Sequence, residues 1–287
     1  MNRACRRGVP FGTNSSDGFA ASAELQGPTA EAPHTGILIV NADDWGRDRD
    51  TTDRMFECLL LGTVSSVSAM VFMEDSERAA AMAQESEIDT GLHLNFTTPF
   101  SGPNCPASLA EHQRELATYL RRRGLARVFF DPWLARSFEY VVEAQLDEFC
   151  RLYGAEPVRL DGHHHMHLCA NVLLAGLLPA QTQVRRNFSF QRGEKTFWNR
   201  LYRKVVDRIL ARHHTVTDFF FSLEPLEPPG RLERIFSLAH QFVVEVETHP
   251  VKPDEYRFLT GGEVFRLAGN VQIARRFSVP QRGRLRK

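Results

Sequence analysis

Ile37-Leu38-Ile39-Val40 runs directly into Asn41-Ala42-Asp43-Asp44. Four apolar residues in a row, without alternation, fit a strand buried on both faces. Such strands belong to parallel sheets covered by helices. The two aspartates stand where this strand ends. The arrangement recurs along the chain. Asp89 to Asn95 reads as a strand and carries His93 near its end. Pro157-Val158-Arg159-Leu160 leads into Asp161-Gly162-His163-His164-His165-Met166-His167, with four histidines in five positions. Phe242 to Val246 runs into Glu247-Thr248-His249-Pro250.

Between these points strand and helix patterns alternate. Helical stretches are expected at Thr51 to Leu61 and Asp75 to Gln84, with a strand at Val64 to Phe72 between them. Phe138, Val141, Val142, Leu146, Phe149 and Leu152 fall on one helical face, and Gly154 suits its stop. A short helix at Asn171 to Leu178, a strand at Gln183 to Arg186 and a helix at Phe197 to Arg212 follow. On the last helix, Trp198, Leu201, Val205 and Ile209 share one side. Val216 to Phe221 reads as a strand, Leu232 to His240 as a helix, and Glu263 to Phe277 as a final βα-like element.

About seven strand-then-helix units imply an α/β fold with a parallel sheet and helices outside it. The spacing predicts a (β/α) barrel-like domain of about seven strands over residues 36–279, closed or incomplete. In such barrels the site lies at the C-terminal ends of the strands. Asp43-Asp44, His93, His163 and His249 all fall there. The segment 97–136 breaks the rhythm with Pro99, Gly102, Pro103 and Pro106, then a basic helix-like piece to Gly124 and Pro132-Trp133, and reads as an irregular insertion serving as a functional loop or lid. Residues 1–35 are rich in small and polar residues without periodicity, and are expected to be a disordered extension. Residues 280–287 form a basic tail.

Lys+Arg and Asp+Glu are 35 each, so no global field draws the chain to nucleic acid or an anionic membrane. Local runs such as Arg121-Arg122-Arg123 read as solvated faces. The five cysteines are scattered without a C-x-x-C pair, which fits a reducing compartment. No apolar run approaches the roughly 18 residues a membrane span needs, and no apolar region follows the basic N-terminus as in a secretory signal. A cytoplasmic location is expected, and a homodimer stays open.

A carboxylate with two neutral imidazoles suits a divalent cation with an open position. A second carboxylate beside it can act as general base, and a histidine opposite as general acid. Taken singly, Asp43-Asp44 also reads as a helix N-cap pair, and His93 as a hydrogen-bonded core histidine. Neighbours in an ideal strand face opposite ways, so both aspartates reach one site only if the strand has turned, which Gly46 permits. By the same alternation His163, His165 and His167 share one side and His164 the other. His34, His112, His213, His214 and His240 are given no role.

Four motifs, in this order and strand context, resemble the YdjC-like carbohydrate deacetylases, which include the chitooligosaccharide deacetylases. They are Asn41-Ala42-Asp43-Asp44-Trp45-Gly46, Gly91-Leu92-His93-Leu94-Asn95, Asp161 to His167, and Thr248-His249-Pro250. The resemblance implies a barrel-like fold related to polysaccharide deacetylases. It also implies hydrolysis of the linear amide of an N-acetylated amino sugar, with one divalent ion, magnesium or zinc. Asp44, His93 and His163 would be metal ligands, Asp43 the general base, and His249 the general acid. Trp45 stands where the family commonly has Phe, and Gly162 where it commonly has Ser. Trp45, Asn95, His165 and His167 are expected at the substrate pocket, Trp45 as a stacking face for a sugar. The expected partner is a small carbohydrate or glycoconjugate. Two rivals remain: another metal-dependent hydrolase such as a phosphoesterase, and a non-catalytic sugar-binding protein.

Overall fold

The computed structural model describes residues 36–122, 126–190, 196–228, 230–277 and 279. The expected N-terminal extension and basic tail lie outside these residues. Seven parallel strands form one sheet: β1 (Ile37–Trp45), β2 (Ser66–Ala69), β3 (Thr90–Leu94), β4 (Arg159–Gly162), β5 (Gln183–Val184), β6 (Phe219–Ser222) and β7 (Val243–Thr248). Their spatial order is β5-β4-β3-β2-β1-β7-β6. All neighbours pair in parallel. Among the described residues the outer strands β5 and β6 form no ladder with each other; an isolated bridge joins Gln183 to Thr215 just before β6, and the Ser189 amide donates to the Phe220 carbonyl at 2.8 Å. The barrel-like reading therefore holds, with an imperfect seam between β5 and β6.

Nine helices are described: α1 (Arg49–Leu60), α2 (Ser76–Glu85), α3 (Ala107–Arg122), α4 (Ala135–Tyr153), α5 (Ala170–Leu174), α6 (Phe197–His213), α7 (Gly230–Leu238), α8 (Pro253–Thr260) and α9 (Glu263–Ala268). Local chemistry sets their ends. Asp48 caps α1 by accepting from the Thr51 amide at 2.9 Å. Gly154 ends α4 at φ +72°. Pro253 opens α8, where its missing N–H costs nothing. Replacing Asp48 with Ala is expected to lower stability by about 1 kcal/mol in urea unfolding, with the fold unchanged.

Strand alternation sorts the side chains into two environments. Leu38, Val40, Ala42, Val67, Ala69, Leu92, Leu94, Leu160, Val244 and Val246 belong to the main apolar core. Large helix residues such as Phe138 and Phe236 join them there. Each fully buried side chain of this size contributes about 1.5–3 kcal/mol. The alternate positions are polar: Asn41 and Asp43, Ser66 and Ser68, His93, Arg159 and Asp161, Glu245 and Glu247. They are buried too, and they bond to one another. A small plug of Ile39, Val243 and Ala274 lies below them.

Two expectations are corrected, and a third is completed. The segment 97–136 is not mainly irregular, because its centre is α3. Leu109, Leu116 and Leu120 of α3 are buried in the main core. No strand starts the stretch from Glu263. It is helix α9 followed by a return segment, where Ile273 bridges to Leu38. On α6 the stripe of Trp198, Leu201 and Val205 faces outward, and Val206 and Leu210 are the buried residues.

Candidate active site

Asp43 and Asp44 reach one site through a backbone irregularity. The pairing of β1 with β2 shifts between Asp43 and Trp45, so Asp44 is an extra residue in a bulge. Its φ is +77°, a left-handed conformation that aspartate tolerates better than most residues. The turn thus falls on Asp44 itself, two residues before the φ of +84° at Gly46.

The histidine run does not alternate as a strand would. It forms a tight turn of 3-10 helix from His163 to Leu168, with His164 at φ +54° and His165 at φ +57°. Two consecutive left-handed residues fan the imidazoles in separate directions. His163 Nδ1 points at Asp44. His164 Nδ1 meets the Thr97 hydroxyl at 2.9 Å. His165 Nε2 lies 3.6 Å from Glu247 and packs edge-on against Phe188. His167 turns back to the Arg185 carbonyl at 3.0 Å. Gly162 permits this return, because a Cβ there would lie 3.0 Å from His167.

At the C-terminal ends of β1, β3 and β4, Asp44, His93 and His163 each offer one ligand atom, all within 4.8 Å of one another. Asp44 Oδ1 lies 2.9 Å from His163 Nδ1 and 3.4 Å from His93 Nε2. Neither Asp44 Oδ1 nor His93 Nε2 has an aligned hydrogen-bond partner, although both are buried. Burial pushes the Asp44 carboxyl up, but the imidazoles of His163 and His93 outweigh it and hold it well below the usual range. Buried ligand atoms on one carboxylate and two imidazoles, those of Asp44 and His93 orphaned, fit a divalent cation.

The far nitrogens of both imidazoles are held. Asp161 Oδ1 meets His93 Nδ1 at 2.7 Å, and the Thr98 hydroxyl meets His163 Nε2 at 2.9 Å. Such contacts orient a ligating histidine. Burial pushes the His93 imidazole down, but the charges of Asp161 and Asp43 and the contacts with Asp161 and Asp44 raise it to about 10. Burial and His163 push His164 down to about 4. Burial and Arg185 push His165 to about 3, and burial brings His167 to about 3. Thr98→Val keeps the shape but leaves His163 Nε2 unpaired. It should weaken metal affinity about tenfold to a hundredfold in chelator competition.

Arg185, just beyond β5, organises the floor of the site. Its guanidinium donates to both Asp43 oxygens, at 2.6 and 2.8 Å. It also reaches Asp161 at 2.8 Å, Glu245 at 2.6 Å and Glu247 at 3.4 Å. Burial pushes the Asp43 carboxyl up, but the charge of Arg185, the charge of His93 and the Arg185 hydrogen bonds hold it below its ordinary value. Asn41 donates a further bond to Asp43 at 2.8 Å. Two carboxylates move the other way. Burial raises Glu245 to about 7 even beside Arg185, and burial with the Asp43 charge raises Glu247 to about 8. Asp43, His93 and Asp161 also make a ligand-like group. Arg185 already bridges its two carboxylates, so a second cation would meet a resident positive charge.

His249 follows β7. Its amide donates to Glu255 at 2.7 Å, which also accepts from Thr248 at 2.6 Å. Its Nδ1 is buried without a partner. Three pocket assignments are corrected. Trp45 is 0% exposed and donates to the Ala79 carbonyl, so it packs behind the strand and offers no face to a sugar. His167 is buried under the turn as a brace. Asn95 is buried and pins the following loop by accepting from the Thr97 and Thr98 amides. His165, the fourth, is half-buried. Helix α3 steadies the same loop: Gln113 donates to the Thr98 carbonyl at 2.7 Å and Arg121 donates to that of Thr97.

A parallel α/β barrel with a buried carboxylate–histidine centre at its C-terminal end defines the class of this protein. The model of the YdjC-like protein family matches residues 37–271, and the chain belongs to that family. The chain is 33% identical to a carbohydrate deacetylase of Mus musculus over 141 residues, which covers 47% of this chain and 44% of that protein. It is 26% identical to a chitooligosaccharide deacetylase of Enterobacter sp. (strain 638) over 183 residues, covering 64% of this chain and 67% of that one. The match thus spans less than half the length of the mouse relative. A crystal structure from Enterococcus faecalis V583, described as a candidate cellobiose-phosphate cleavage protein, superposes with a TM-score of 0.58. Its identity is 18%, covering 83% of this chain and 97% of that one. This likeness supports the fold.

Proposed function

We propose that this protein is a metal-dependent hydrolase that removes the acetyl group from an N-acetylated amino sugar in a carbohydrate or glycoconjugate. The observation that carries the reading is the buried set of Asp44, His93 and His163, with the Asp43 carboxylate beside it. The names of the mouse and Enterobacter relatives point to the same chemistry. Asp44, His93 and His163 would hold a divalent ion, magnesium or zinc. Such an ion polarises an amide carbonyl and lowers the pKa of a water.

The chain's own groups supply the rest. Asp43 takes the proton from the attacking water as general base. A carboxylate offers about four acceptor positions, and Arg185 and Asn41 occupy three of them. One lone pair is left for the water. Arg185 keeps Asp43 ionised and fixed in direction. Asp161 and Thr98 fix the two imidazoles. His249 donates a proton to the departing amine, with its backbone anchored by Glu255.

The rival phosphoesterase reading asks for two metals. Calorimetric titration of the full chain with zinc or magnesium separates the two. One ion per chain is expected, lost in His93→Ala and retained in Asp43→Asn. Two ions per chain would favour the phosphoesterase. The sugar-binding reading requires no base, so it predicts that Asp43→Asn keeps full function.

A further inference from the structure

Helix α6 carries its apolar stripe on the outside. Phe197 is 71% and Trp198 75% exposed, and Leu201 and Val205 are exposed beside them. Its buried side is only Val206 and Leu210. The same outward face continues as Lys204, Arg208 and Arg212, all exposed. The helix holds one acid, Asp207, which is taken up by Arg186 and Asn187. The face that meets solvent is therefore aromatic over its first turns and cationic over its last.

A second exposed aromatic segment lies close by. Phe129 and Phe130 are exposed, and Trp133 is 91% exposed. This segment is strapped to the start of α5: the Ala170 amide donates to the Arg127 carbonyl, and Asp131 and Asn171 exchange two hydrogen bonds. Leu173 and Leu174 of α5 line a common cavity with Ile209 and Leu210 of α6, so α6 and this segment both adjoin α5.

We propose that this face docks on the surface of an anionic lipid bilayer. Exposed Trp and Phe suit the boundary between headgroups and acyl chains. Lysine and arginine along the same helix complement lipid phosphates, each contributing attraction that falls away within a Debye length. The overall charge balance does not oppose this, because the positive charge of α6 is local and its one acid is turned to Arg186. Among the described residues no helix is long and apolar enough to cross a membrane. The mode is attachment to the surface, and it is independent of the reaction assigned to the site.

Co-flotation of the full chain with vesicles tests this. Vesicles of phosphatidylcholine alone should leave the protein in solution, and vesicles containing phosphatidylglycerol should carry it up. Tryptophan emission should shift to the blue on binding, because Trp133 and Trp198 are exposed and Trp45 is already buried. Phe197→Ser with Trp198→Ser should abolish flotation. Lys204→Glu with Arg208→Glu and Arg212→Glu should weaken it on the order of a hundredfold. These side chains are exposed, so the thermal midpoint should hold in both variants. Flotation unchanged by either variant overturns the proposal, as does no binding to either vesicle. A concentration-dependent dimer that the serine substitutions dissociate, without lipid binding, also overturns it and assigns the face to a second copy of the chain.

Discussion

Asp43→Asn should reduce turnover of an N-acetylated amino sugar about a thousandfold, within the range for loss of a general base. Asparagine keeps the shape and can still accept from Arg185, but it cannot take a proton. The protein should remain folded, because Arg185 keeps Asp161, Glu245 and Glu247 as partners. Metal affinity should change little, since Asp44, His93 and His163 are untouched. Steady-state kinetics with a parallel metal titration reads both. A loss of metal binding equal to the loss of turnover would move Asp43 from base to ligand.

Arg185→Leu should cost about 3–5 kcal/mol of stability, the range for breaking a buried charge cluster from one side. The guanidinium is 1% exposed and touches four carboxylates. Without it, Asp43, Asp161, Glu245 and Glu247 face one another in a poorly solvated barrel interior. They must take up protons or draw in water. Thermal unfolding should fall by about 10 °C at this chain length. Arg185→Lys restores the charge but not the fork that grips both Asp43 oxygens, so it should recover part of the stability and little of the turnover. A midpoint within a degree of wild type in Arg185→Leu would show that the carboxylates have another counter-charge.

The strand ends were legible because burial on both faces leaves a plain signal, an apolar run that stops at a polar cluster. Asp43-Asp44, His93, His163 and His249 all sit at the strand ends where that signal put them. The details between them were not legible. Strand alternation predicted the wrong fan for His163 to His167, since two left-handed residues in a row give no pattern in sequence. Trp45 looked like a sugar platform because it adjoins Asp44, yet the bulge turns Asp44 one way and sends Trp45 into the core. Arg185 follows a two-residue strand and precedes another arginine, so it reads as a solvated cation. One signal could have found it. Glu245 and Glu247 interrupt the apolar strand Phe242 to Val246 and its continuation, and buried carboxylates at alternate positions demand a buried cation.

The fold also explains how residues from distant parts of the chain reach one site. Asp44, His93 and His163 lie on β1, on β3 and just after β4, and parallel strands bring their C-terminal ends to one side. Asn95, Gln113 and Gln145 then tie the loop after β3 to helices α3 and α4. The insertion thus holds Thr98 against His163.

Acetate release is the most direct test of the central claim. Full-length protein loaded with zinc or magnesium should release acetate from N-acetylglucosamine oligomers or a related glycoconjugate, with one new amine per acetate. Chelation should stop the release, and one equivalent of metal should restore it. No acetate from any N-acetylated glycan or glycoconjugate, with the protein folded and carrying one ion per chain, would contradict the account.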